Sequence, residues 1–272
     1  MKLAFTVATP DTRDANMAAF RGEGLDHAFF TLSKLGYDAA ELMVRNPAEL
    51  DSAEIERLAA TYQLAVPAIS TGQLRKEDGL SLNACGAELR GEAVRRTREV
   101  IDFAARFNAQ VNIGSLRGQM PVGPERAAAV TAVRASLTEL LEYAAGRGVA
   151  LAIEPQCRYV SNWLNTVAET MEFASSFPDV QPHILFDVYH ASLEERSVAA
   201  AMIVGRERIS WVQLADSHRG APGDGQMNFG EHIRVLEALG YDGYLSVECN
   251  PFPEAESAPR RAAAHLKPLL PG

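Results

Sequence analysis

A chain of 272 residues is a length that one α/β barrel fills, and an apolar fraction of 47% implies a substantial buried core rather than disorder. Its 26 basic and 35 acidic residues leave a formal charge of −9. That balance argues against a polyanionic partner such as nucleic acid, which needs a basic stripe to neutralise phosphates.

The N-terminus, Met1-Lys2-Leu3-Ala4-Phe5-Thr6-Val7, is a short apolar run. It is too brief for a signal peptide or a membrane span and reads as a first strand, so a cytoplasmic protein with no membrane partner is expected. Further β-branched or aliphatic runs follow at 39–43, 65–70, 109–114, 149–154, 183–187, 209–214 and 243–248, each leading into a helix-like segment. Eight strands alternating with helices predict a (β/α)8 TIM barrel, one domain over 1–272, rather than a doubly wound sheet. No GxGxxG follows the first strand, which weakens a dinucleotide-binding reading.

Helix starts are also legible. Gly123-Pro124-Glu125 puts a proline at the first helical position, and Val130, Val133, Leu137, Leu140, Leu141 and Ala144 continue one apolar stripe. Thr166 with Glu169, and Ser192 with Glu195, have the spacing of capping boxes. Cys85, Cys157 and Cys249 form neither a CxxC pair nor an even framework, so reduced, non-catalytic thiols are expected.

Four strands of the back half end in side-chain oxygens: Glu154, Asp187, Gln213 and Glu248. In a parallel barrel the carboxyl ends of the strands open onto one mouth, so these four donors converge there as a hard-cation site. Oxygen donors favour Mn²⁺, with Mg²⁺ or Co²⁺ as alternatives, over zinc. Glu154 and Glu248, placed on either side of the ion, are also the expected acid/base pair.

His190 follows Asp187 by three residues, on a short loop at the mouth, and is expected to face substrate. The turn-rich segment Asp216–Gly225 carries Arg219, whose planar fork suits either a substrate hydroxyl or carboxylate, or a salt bridge to Asp216 or Asp224. His218 and, on the rim loop after the fourth strand, Arg117 are further candidate substrate contacts. Glu41 ends the second strand, where a place in the site and an inward structural role are both open. His27, His183, His232 and His265 fall away from the mouth.

The chain resembles the xylose-isomerase-like TIM barrels and, within them, the ketose 3-epimerases of tagatose, psicose and 5-keto-gluconate type. The likeness runs over essentially the whole length, including Phe20-Arg21-Gly22, Leu35-Gly36-Tyr37-Asp38, Thr71-Gly72-Gln73 and Glu77-Asp78-Gly79-Leu80-Ser81-Leu82. Its most specific stretches are Ile153-Glu154-Pro155, Asp187-Val188-Tyr189-His190, Ala215-Asp216-Ser217-His218-Arg219 and Ser246-Val247-Glu248-Cys249. The resemblance implies that Glu154 and Glu248 are metal-binding acid/base glutamates, that Asp187 is a ligand, and that His190 and Arg219 contact substrate. It also implies a homodimer or homotetramer. Two departures stand out. Gln213 stands where the epimerases usually have histidine and the related hydroxypyruvate isomerases have glutamine. Val160 stands where several epimerases carry a substrate-binding glutamate.

The expected activity is epimerisation of a non-phosphorylated keto-sugar or keto-sugar acid through an enediolate. The first alternative is an aldose–ketose or hydroxypyruvate-type isomerase, which shares that intermediate. Remoter ones are an abasic-site endonuclease, disfavoured by the absence of histidine at the ends of strands two to four, and a non-enzymatic sugar-binding barrel.

Overall fold

The computed structural model describes residues 1–13, 17, 20 and 24–271. Arg21 and Gly22 of the family-like stretch at Phe20 lie outside the described residues. Strands β1 (Lys2–Ala8), β2 (Ala39–Met43), β3 (Ala65–Ser70), β4 (Gln110–Ile113), β5 (Leu151–Ile153), β6 (His183–Asp187), β7 (Ile209–Leu214) and β8 (Tyr244–Val247) pair in parallel in sequence order. Lys2 to Phe5 of β1 register against Tyr244 to Val247 of β8, which closes the barrel. The (β/α)8 expectation is met.

Side-chain alternation along each strand explains how the same residues build both a core and a site. Outward positions such as Leu3, Phe5, Val7, Leu42, Ile69, Val111, Ile153, Phe186 and Val247 pack under the helices as the main apolar core. Inward positions form a separate, smaller cluster: Ala4, Ala39, Ala68, Ala152, Leu185 and Trp211. Above those alanines the inward-facing positions turn polar, so the barrel is plugged at its base and chemically equipped at its carboxyl end. Glu154 and Glu248 lie one residue beyond their strands, yet their N–H groups still bond the carbonyls of Ile113 and Leu214 at 3.1 Å each. The ladder therefore still holds both backbones.

The surrounding helices include α1 (Leu25–Leu35), α2 (Ser52–Tyr62), α3 (Gly72–Lys76), α4 (Ala87–Ala105), α5 (Glu125–Ala145), α6 (Val167–Ser175), α7 (Val188–Glu194), α8 (Val198–Gly205), α9 (Phe229–Ala238) and α10 (Ser257–Leu266). The Thr166/Glu169 capping box is present at α6. Pro124 sits one place earlier than expected, at the cap of α5 rather than inside it. The Ser192/Glu195 box is a correction. Asp187, at the end of β6, caps α7 by accepting from the N–H groups of Tyr189 and His190, which starts that helix before Ser192 is reached. Ser192 Oγ instead donates to the Tyr189 carbonyl, and Glu195 accepts from the N–H of Val167. His190 accordingly sits on a helix, not a loop. Among the described residues no helix is long and apolar enough to cross a membrane.

Candidate active site

A cavity of about 620 Å³ opens at the carboxyl end of the barrel, within the size range of small-molecule sites. Glu154, His190, Gln213, Arg219 and Glu248 line it, together with Tyr189 of α7 and with Gln156 and Asn250 from the loops after β5 and β8.

The back-half donors come together. His190 Nε2 lies 3.4 Å from Glu154 Oε1 and 3.8 Å from Asp187 Oδ2. Ligand atoms of Glu154, Asp187 and His190 all fall within 4.8 Å of one another, an arrangement that could hold a metal ion. Asp187 and Gln213 are direct partners across the β6–β7 ladder. Asp187 divides its labour: Oδ1 caps α7, while Oδ2 accepts from Arg219 Nη1 at 2.5 Å. Arg219 Nη2 donates to Glu248 Oε2, and the guanidinium lies 4.8 Å from the centre of the Tyr189 ring.

Charge crowding dominates the electrostatics. Burial, followed by the charges of Glu248 and Asp187, raises the Glu154 carboxyl well above its usual range. Burial also raises Glu248, although Arg219 opposes the shift. His190 is pushed down to about 4 by burial, so its imidazole is neutral near pH 7. Burial alone would lower Arg219, but Asp187 and Glu248 outweigh it and hold the guanidinium charged. Arg219 thus pairs with two of three buried carboxylates, and the charge of Arg117 also favours the ionised form of the third, Glu154.

The residues present suit a divalent cation. Gln213 Oε1 is buried and has no hydrogen-bond partner, since the amide nitrogen is turned away to Glu41. An orphaned buried acceptor beside clustered carboxylates is costly unless something positive completes it. The donors are mainly hard oxygens with one available imidazole, as such an ion requires.

Arg219 owes its position to its loop. The backbone there is left-handed, at φ 60°. The Asp216 carboxylate holds the turn by accepting from the N–H groups of Ser217, Gly223 and Met227. Burial would raise the Asp216 carboxyl, yet those backbone donors win and lower it. The ion pairs considered from sequence are therefore replaced. Asp216 organises the loop, Asp224 pairs with Arg261 at 2.9 Å, and Arg219 reaches Asp187 and Glu248 instead.

Two expected substrate contacts lie elsewhere. Arg117 is 1% exposed and does not line the cavity. Its guanidinium donates to the carbonyls of Gly114, Trp163 and Leu164 and to Gln156 Oε1, a nest of acceptors that draws it behind the wall. Gln156 Nε2 in turn donates to Glu154 Oε2 at 2.8 Å, so Arg117 acts on the site only at one remove. His218 is exposed and outside the cavity. Sequence reasoning missed Gln156 and Asn250, although each follows a strand-end glutamate by two residues and so returns to the same side. It also missed Arg75 and Lys76 of α3, which line the front wall. All three cysteines are free, with Cys85 exposed and Cys157 and Cys249 buried.

Residues 29–269 match the family profile described as xylose isomerase-like TIM barrel. The chain is 26% identical over 225 residues to L-ribulose 3-epimerase of Methylomonas sp. (strain DH-1), covering 83% of this chain and 78% of that one. It is 33% identical over 113 residues to 3-dehydro-D-guloside 4-epimerase of Escherichia coli (strain K12), covering 42% and 43% respectively. The crystal structure of D-allulose 3-epimerase from Methylomonas sp. in complex with D-allulose superposes with a TM-score of 0.81 at 18% identity, over 98% of this chain and 97% of that one. These relatives are epimerases, a class of isomerase, so the family is an enzymatic one. By the span of that profile and the closed eight-stranded barrel, the chain belongs to the xylose isomerase-like TIM barrel family.

Proposed function

We propose that the protein is a divalent-cation-dependent epimerase of a keto-sugar or keto-sugar acid, inverting the carbon next to the carbonyl. One observation carries the reading. Two buried glutamates, Glu154 and Glu248, line one cavity with their carboxyls raised by burial. The epimerase relatives point the same way.

Glu154, Asp187, Gln213 and Glu248 are the proposed cation ligands, and the position of His190 makes it a further donor. When bound, the ion would supply Lewis acidity to the substrate carbonyl. The chain's own residues do the rest. One glutamate takes the proton from the carbon beside the carbonyl, leaving an enediolate, and the other returns a proton to the opposite face. Burial raises the proton affinity of both carboxyls, as a general acid or base requires, and a bound cation would draw it back down. In this reading Arg219 holds a substrate oxygen, and so does His190 where its imidazole is not taken up by the cation. Arg117 keeps Gln156, and through it Glu154, in register.

An aldose–ketose or hydroxypyruvate-type isomerase is the second reading, favoured by the amide at Gln213. Incubation with a panel of ketoses and keto-acids in D₂O with Mn²⁺ tests both. Deuterium at the inverted carbon of a C3 epimer supports epimerisation, whereas an aldose or aldehyde product supports isomerisation. No exchange with any substrate overturns both. Mn²⁺ as the native ion, a cytoplasmic location and a homodimer or homotetramer are further parts of this reading, open to metal analysis, fractionation and sedimentation.

A further inference from the structure

Glu41 lies in the middle of β2, wholly buried inside the barrel beneath the cavity. Its carboxylate receives five neutral donors. Oε1 accepts from Ser70 Oγ at 2.5 Å, Asn112 Nδ2 at 3.1 Å and Gln213 Nε2 at 3.0 Å. Oε2 accepts from Trp211 Nε1 at 3.0 Å and Thr6 Oγ1 at 3.4 Å.

Gln213 differs from the other four donors in what its far end is left to do. Its nitrogen is committed to Glu41, so its oxygen faces the cavity wall, buried and without a partner. An amide can be turned over with little change in shape, and the hydrogen-bond network decides which way it points. Left to itself, this amide would turn its N–H₂ toward the neighbouring carboxylates, which need donors. That orientation would fill the site with N–H groups that no cation accepts. Glu41 Oε1 accepts from the Gln213 amide nitrogen, and a turned amide would set its oxygen against that acceptor, so Glu41 opposes the turn.

We propose that Glu41 is the positioning residue that fixes the Gln213 amide, so that an oxygen faces Glu154, Asp187 and Glu248 and an oxygen-seeking divalent cation is admitted there. This rests on the cation reading given above. It differs from a structural role for Glu41 because it acts through one ligand atom.

The test is Mn²⁺ binding to chelator-stripped full-length protein, read as loss of the electron paramagnetic resonance signal of free Mn²⁺. Glu41→Gln lets the amide turn, and Mn²⁺ affinity is expected to fall about 10- to 100-fold, the usual effect of removing a group that orients a ligand. Trp211→Phe removes a different donor from the same carboxylate. It is expected to lower thermal stability while leaving Mn²⁺ affinity within about twofold, since no ligand loses its partner. Gln213→Glu sets two carboxylates against each other and should bind poorly. Adding Glu41→Gln to it restores a donor–acceptor pair with the polarity reversed, and should recover binding. Unchanged affinity in Glu41→Gln, equal losses in Glu41→Gln and Trp211→Phe, or no recovery in the double variant would overturn the proposal. A parent protein that binds no Mn²⁺ overturns the cation reading along with it.

Discussion

The two halves of the barrel mouth are built from the same alternation of inward and outward residues and end in opposite chemistry. Strands β2 to β4 bring the uncharged Met43, Ser70, Thr71, Asn112, Gly114 and Ser115 to the cavity, with Arg75 and Lys76 of α3 beside them on the same wall. Strands β5 to β8 and their loops bring Glu154, His190, Gln213, Arg219 and Glu248. Beneath both halves lies the same floor of small residues around Trp211. Under the proposed function, bond-making falls to one side and shape to the other. Substitutions on the back half should act on kcat or on the charge balance of the site, and those on the front half on substrate fit.

The largest expected effect tests the back half directly. Glu154→Gln and Glu248→Gln each remove a proposed proton carrier while keeping the shape, and turnover should fall by about 10² to 10⁴. Circular dichroism should be unchanged, and proton exchange into a ketose in D₂O, followed by NMR, is the measurement. Full exchange in either variant would sink the assignment.

Arg219→Ala asks what the paired guanidinium is worth. It leaves Asp187 and Glu248 buried without their guanidinium, and breaking a buried pair from one side costs about 3 to 5 kcal/mol. The urea midpoint of the chelator-treated protein should drop accordingly, and added Mn²⁺ should recover part of it. A midpoint that stays put would mean that Asp187 and Glu248 do not depend on Arg219.

Gly114 breaks the division from the front side. A Cβ there would come within 2.3 Å of Glu154 Oε2 and 2.7 Å of Gln156 Nε2. Both are ends of flexible side chains, so the fold can yield. The carboxylate would still be displaced, and a misplacement of about 1 Å costs about 10²-fold in rate. Gly114→Ala should therefore lose activity with little change in melting temperature. A melting point that falls in step with activity would place the damage in the fold instead.

The strand-end acids were legible because the backbone alone places them: side chains alternate along a barrel strand, so the inward positions at its carboxyl end face the mouth whatever their neighbours are. Gln213 was legible for the same reason, but the direction of its amide was not, because Glu41 decides it from a strand 172 residues away. Long side chains on loops were read least well. Arg117 and Arg219 both follow strands, yet one turns behind the wall toward four acceptors and the other forward to two carboxylates. Their destinations depend on partners remote in sequence. The cap of α7 went astray through local competition, since Asp187 and Ser192 both offer a capping oxygen and the one at the strand end comes first.

Arg75 gives the smallest effect and the sharpest test of the front half. It stands on α3 directly after β3, half-buried on the cavity wall, and its guanidinium meets the Gly79 carbonyl at 3.5 Å, a contact too long to hold it firmly. Among the described residues no carboxylate pairs with it, so its charge is available to a substrate. Arg75→Gln keeps a polar side chain of similar reach and removes that charge. For a keto-sugar acid, losing one charge-assisted contact at a partly wet site costs about 1 kcal/mol, which raises KM about fivefold. A neutral ketose should show almost no change, and kcat should hold for both. Raising the ionic strength should shrink the difference between the two substrates in the parent and leave the variant unmoved. Steady-state kinetics on one acidic and one neutral substrate at two salt concentrations measures all of this. A fall in kcat matching that of the glutamate variants would mean that the front wall takes part in the chemistry and that the division between the halves is wrong.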